Sequence, residues 1–318
     1  MNRQLKNNAF SFGEFVWWIG VVEDRMDPEK LGRLRVRIYG YHTADTGKIP
    51  TEDLFWAMPI QPIISAAMSG IGFSPTGIVE GTTVIGFFAD GHAAQHPIIL
   101  GTLGGKPQQN HLDGDGFRDP NGKYPTYPYG EQDTNRLARN EKINETIVQK
   151  KKDSLDKARV AFGGEWEEPE TPYDAVYPYN HVRETESGHI EEFDDTEGAE
   201  RLHRYHRAGT FEEIHPDGTT VHKIVKDQYE IVLGDNYVLI KGDCKINVVG
   251  DSSILVEGDA EIEIEGDCKE EIHGNYDLKV DGNWNVEVGR NWNISVGGNQ
   301  TSDTGGVEKR EARRILLN

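Results

Sequence analysis

The sequence predicts a mainly β protein in which a small N-terminal barrel and a C-terminal needle are joined through a partly helical linker. Three observations carry that prediction. Residues 234–299 repeat with a period of eight, and residues 15–104 alternate apolar and polar side chains in five short runs. Between them, apolar residues fall at helical spacing only near 133–162.

The repeat organises the chain. Stepping by eight from Gly234 meets Gly242, Gly250, Gly258, Gly266, Gly274, Gly282, Arg290 and Gly298. The following position is always a short polar residue: Asp235, Asp243, Asp251, Asp259, Asp267, Asn275, Asn283, Asn291 and Asn299. Gly followed by Asp or Asn is turn chemistry, because both tolerate the conformations a sharp bend needs. Four and six residues after each glycine come Val238 and Ile240, Ile246 and Val248, Ile254 and Val256, Ile262 and Ile264, Leu278 and Val280, Val286 and Val288, and Ile294 and Val296. One octad keeps only Ile272 of the pair. A spacing of two puts both side chains on one face of a strand, so each octad is one strand and one turn.

A lone octad buries two aliphatic side chains, roughly 3–6 kcal/mol of transfer energy. Ordering its backbone costs about 1–2 kcal/mol per residue, so the octads must stack. A single-chain solenoid would need about three octads per turn and a matching superperiod. No such superperiod is visible in the Gly or Val positions, which favours three identical chains wound as a triple-stranded β-helix with those fifteen residues on the axis. Nine layers at about 4.8 Å each make a rod on the order of 43 Å. Cys244 and Cys268 would lie about 14 Å apart on one face of it, beyond disulfide reach, and are read as small corner or core residues.

In chain order, the barrel comes first. FVWWIGVVEDR, LGRLRVRIYG, LFWAMPI, TTVIGFF and PIILGTL are its five strands. In the second, Leu34, Val36 and Ile38 face one way while Arg33, Arg35 and Arg37 face a solvated or subunit-facing side. Five strands in about 90 residues suit an OB-type barrel. The connection QPIISAAMSGIGFSPTGIVEG is too apolar for a solvent loop; with Met68 and Ile71 it is read as contact surface for a partner. Residues 106–130 are a Gly/Pro/Asp linker whose DGDG lacks the remaining ligand spacing of a calcium loop. From about Asp133 to Phe162 a helix with a thin apolar stripe is expected. Strands resume from Tyr173 as a collar leading into the needle. Its histidines, His181, His189, His203, His206, His215 and His222, are spread over turns and read as surface residues rather than metal ligands.

The domains are therefore 1–105 barrel, 106–172 linker with a helical segment, 173–233 collar, 234–299 needle and 300–318 tip segment. Formal charge is −20. Residues 1–110 carry 9 basic and 10 acidic side chains, whereas 218–299 carry 7 and 16. So acidic a rod repels nucleic acid and anionic membrane. No apolar run approaches 18 residues and the N-terminus has no signal-type apolar stretch, so neither a membrane anchor nor secretion is expected. No residue set calls for a cofactor or metal.

The texts IGVVEDRMDPEKLGRLRVR, IPTEDLFWAMPIQPIISAAMSGIG, ETESGHIEEFDDTEG and GTFEEIHPDGT, followed by the octads, resemble the central spike proteins of T-even-type contractile phage baseplates. The architecture is also similar to the valine–glycine-repeat spikes of type VI secretion. The resemblance covers nearly the whole chain in order. It implies an OB barrel seated on a trimeric baseplate hub protein, a homotrimeric needle driven through the cell envelope by sheath contraction, and a place in the virion tail. It also implies, in T-even members, a lysozyme domain inserted between barrel and needle. Residues 106–172 are too few for that domain. A lysozyme of that class needs a Glu, an acid nine residues on and a Thr six further. Glu165 and Asp174 meet the first spacing, but Asn180 stands third. The expectation is thus a structural spike and not an enzyme. A peptidoglycan hydrolase and a secretion spike are the alternatives. A separate tip protein at the needle end is compatible with residues 300–318, which carry no His-x-His.

Overall fold

In the computed structural model, which describes residues 15–105, 132–141 and 146–311, the N-terminal alternation closes on itself as a barrel. Its strands are β1 (Trp17–Asp24), β2 (Leu34–Ile38), β3 (Trp56–Pro59), β4 (Thr83–Phe88) and β5 (Pro97–Thr102), ordered β1-β2-β3-β5-β4. These are the five runs read from the sequence. The inward positions Trp18, Val22, Leu34, Val36, Ile38, Ala57, Val84, Phe88 and Ile99 fill the interior. Gly86 lets the Trp18 ring enter, since a Cβ there would stand 2.4 Å from that ring and 2.1 Å from the Ile98 carbonyl oxygen.

The outward arginines of β2, Arg35 and Arg37, and Arg33 just before it depart from expectation, because each is engaged with the barrel's own loops. Arg33 donates to Asp27 through Nε and Nη2 at 3.0 and 2.7 Å. Arg35 donates to the Thr51 carbonyl at 2.9 Å and stacks 4.6 Å from the Trp56 ring. Buried Arg37 is paired with Glu23 and donates to the Thr43 and Ile49 carbonyls at 2.8 and 2.9 Å. Asp27 also accepts the Glu29 and Leu31 amides, so one carboxylate pins the β1–β2 connection. The Arg33 guanidinium, against some burial, holds that carboxyl well below the usual range.

The expected long helix is replaced by α1 (Arg136–Arg139), α2 (Ile147–Lys152) and a hairpin of β6 (Lys157–Arg159) and β7 (Glu165–Glu167). The Asn135 side chain caps α1 by accepting the Leu137 amide at 2.8 Å, and left-handed Asn140 (φ 51) stops it after one turn. Gly163 and Gly164, both at positive φ, turn the hairpin. An antiparallel meander follows: β8 (Asn180–Glu184), β9 (Ile190–Asp194), β10 (Arg201–Tyr205), β11 (Phe211–Ile214) and β12 (Thr220–Lys223). The thin apolar stripe of the helices is spent on this sheet. Leu137, Ile147 and Val148 pack on Tyr173, Ala175, Ile190, Tyr205 and Phe211, giving the module its own core. Arg25 of the barrel pairs with Glu80 and with Glu186 at the β8–β9 turn, tying the two together.

Beyond Lys223 the described chain forms no strand within itself. It is extended, with two-residue bends at 233–234, 241–242 and every eight residues through 305–306. Octads up to Asp251 belong to the unit holding the barrel and sheet, and residues from Ser252 form a second unit.

Candidate functional site

From 233–234 to 297–298 each needle bend ends on the octad glycine, save the one that ends on Arg290, and each is followed by its Asp or Asn. Gly242, Gly250, Gly258, Gly274 and Gly282 close five of these bends, with Asp243, Asp251, Asp259, Asn275 and Asn283 directly after them. The fifteen aliphatic residues at the fourth and sixth positions are all exposed in the single chain, Ile262 at 87 % and Ile264 at 54 %. So are Tyr276 and Trp284, two residues after Gly274 and Gly282, and Trp292, two after Arg290, all in phase with the aliphatic pairs. An unpaired strand array with an apolar stripe along its length is stable only when other strands cover it. Cys244 and Cys268 are free and exposed. Glu165 is an exposed residue of β7, and Asn180 is buried, donating to Glu192 at 2.9 Å. The DGDG segment lies outside the described residues.

The loop between β3 and β4 is exposed as expected, with Ile63, Ile64, Met68, Ile71 and Phe73 all presented outward. Met68 and Ile71 bridge through paired backbone hydrogen bonds of 3.4 and 2.9 Å; Ser69 and Gly70, both at positive φ, make the tip between them, and Ala67 just before is at positive φ as well. The loop therefore has a shape of its own.

Sequence reasoning missed the interior of the sheet module. Strand register aligns Val182, Glu192, His203, Glu213 and Val221 in one row beneath the sheet. Three polar side chains, each at most 3 % exposed, occupy the middle of that row. Arg201 pairs with both glutamates, Lys151 of α2 pairs with Glu213, and Thr171 donates to Glu213 at 2.8 Å. His203 Nδ1 donates to Glu192 at 2.7 Å, while its Nε2 has no hydrogen-bond partner among the described residues. His203, read as a surface residue, is thus buried. Burial pushes its pKa below the usual imidazole range despite Glu192. Burial raises the Glu213 carboxyl, but Lys151 and Arg201 outweigh it and hold it at about 2. Burial also lowers Lys151, to about 8, so the pair is ionised at neutral pH. The signal was present in the sequence: Glu192 is in phase with Ile190, and His203 with Tyr205. The network is closed to solvent and holds α2 against the sheet.

His215, also read as a surface residue, has its side chain only 9 % exposed, with Nε2 3.3 Å from Glu213 Oε2, whereas His181, His189, His206 and His222 sit on turns or on the outer face. Among the described residues no group of three or more His, Cys, Asp or Glu could hold a metal ion. No helix of the described residues is long and apolar enough to cross a membrane.

Two family models match the chain. The Gp5 N-terminal OB domain matches residues 40–181, and the bacteriophage T4 gp5 C-terminal trimerisation domain matches residues 224–313. Protein Gp5 of Vibrio phage KVP40 is 48 % identical over 252 residues, covering 69 % of this chain and 59 % of the relative. The pre-baseplate central spike protein Gp5 of Enterobacteria phage T4 is 55 % identical over 116 residues, 34 % of this chain and 20 % of the relative. The chain thus spans about three fifths of the first relative's length and a fifth of the second's. A five-stranded barrel, an octad array inside the trimerisation match, an OB match that takes in β3 to β5, and 48 % identity over 252 residues place the chain in the Gp5 family of phage central spike proteins.

Proposed function

We propose that the protein is a structural spike at the centre of a contractile tail baseplate, a homotrimer whose needle transmits the force of sheath contraction to the cell envelope. The observation that carries this reading is the exposed aliphatic stripe, fifteen residues in strict octad register inside a segment that matches a trimerisation domain. Three chains wound as a triple-stranded β-helix bury that stripe on a common axis, and no chain can then peel away alone. The relatives' names, a central spike protein among them, support the setting. The barrel is the end suited to a trimeric hub, because it carries the ordered apolar loop with Met68 and Ile71. A separate tip protein is a compatible partner for the far end. The spike acts mechanically and not as a hydrolase. In support, Asn180, the third position of the muramidase spacing, is committed to Glu192 beneath the sheet.

Light scattering tests the assembly. A mass of three times 35.7 kDa is expected at micromolar concentration, with SDS resistance at room temperature, and a monomer mass overturns the reading.

A further inference from the structure

The helices cover one face of the β8–β12 sheet, and among the described residues the other is left bare. On the bare face strand register lines up two rows. In one, Phe193, Leu202 and Ile214 are cross-strand neighbours on β9, β10 and β11, with Phe193 59 % and Leu202 46 % exposed. In the next, Arg183, Glu191, Arg204 and Glu212 alternate in sign from strand to strand. A solvated face of an antiparallel sheet is normally polar; an apolar row across its three central strands is not what water selects.

The place of the sheet in the chain indicates what covers it. Edge strand β12 ends at Lys223, and the match to the trimerisation domain begins at residue 224. Where three chains wind together from that point, sheet packing distances bring the three β12 strands within about 10–15 Å of one another. Each sheet is five strands wide, about 19 Å at 4.8 Å per step. Three such sheets converging on one edge have a face to turn toward a neighbour, and the helix-covered face is already occupied.

We infer that the bare face of the β8–β12 sheet is a contact between copies of this chain, covered by the corresponding region of a neighbouring copy in the trimer. The inference rests on the trimeric reading above. An apolar row supplies a dry centre for the contact, and a row of alternating charge lets arginines of one copy face glutamates of the next. A second copy is also the partner that the needle holds in place beside the sheet, at high effective concentration and fixed orientation.

The test uses the full chain with Cys244 and Cys268, both exposed, replaced by serine, so that Leu202→Cys supplies the single thiol. Glu197→Cys in the exposed β9–β10 turn is the control, and Phe193→Cys is the second probe where Leu202→Cys does not fold. In the native trimer a maleimide should modify the Leu202→Cys thiol at least tenfold more slowly than the Glu197→Cys thiol, and mild oxidation should link two chains of one trimer. A trimer by mass whose Leu202→Cys thiol reacts as fast as the control overturns this inference and leaves the trimeric reading standing. A thiol that is shielded but never links chains also overturns it, by showing that the chain covers its own face. A monomer overturns both.

Discussion

Beneath the sheet, His203 lies between two glutamates whose charges are neutralised by Arg201 and Lys151 and not by the imidazole. The unfolded chain takes up a proton on this histidine near pH 6.5, while burial keeps the folded form neutral to lower pH. Stability is therefore full above about 6.5 and falls as pH drops through the depressed folded value. Glu213, held at about 2 against 4.5 when unfolded, adds a second loss between those values as acidity increases. The module's thermal midpoint, followed by near-ultraviolet circular dichroism, should fall below pH 6.5, and His203→Asn should remove this first step while keeping the second. Lys151→Met leaves Glu213 short of a cation and should cost about 3 kcal/mol. A midpoint unchanged in that variant would show that α2 is not held by the pair. None of these roles is visible in residue type alone. Asp27 gives the same lesson in the barrel, since its partner Arg33 is six residues on and only the folded loop brings them together.

At the scale of elements, strands were legible and helices were not. The five barrel strands and the octads follow simple periods, two and eight, that packing enforces residue by residue. Leu137, Ile147 and Val148 also obey their packing, but Asn140 breaks the helix between them, and one asparagine in a polar stretch is not a signal the spacing can carry. The needle permits a sharp comparison. In the trimer, Ile262→Asp or Ile264→Asp sets three carboxylates on the axis, each costing several kcal/mol to bury. Glu261→Gln and Glu263→Gln, on the alternate face, should change melting by less than about 0.5 kcal/mol. Equal losses in the two classes of variant would mean that the inside and outside of the octad are misassigned.

For the whole molecule, charge and apolar surface are unevenly distributed. The barrel region is nearly neutral and carries the ordered loop at Met68 and Ile71, whereas the octads are acidic. Met68→Asp or Ile71→Asp should weaken pull-down of the hub protein by tenfold or more while leaving the trimer's mass unchanged. Undiminished hub binding would place the contact elsewhere on the barrel. The purified trimer should release no muropeptides from cell walls, and Glu165→Gln should not alter infectivity. Wall cleavage lost in that variant would make the spike an enzyme. The barrel strands and the octads were legible because they obey periods of two and eight. The bare face of the sheet was not, because its two rows exist only once five strands are in register.

The bends recurring every eight residues also make the length of the needle a quantised property. Removing or adding one whole octad shortens or lengthens a three-chain rod by one layer, about 4.8 Å, and leaves every other layer as it was. Removing a single residue shifts the phase of every strand beyond it and turns the aliphatic side chains from the axis to the surface. Reach can therefore be altered in steps by duplication or loss of eight codons, without new packing having to be found.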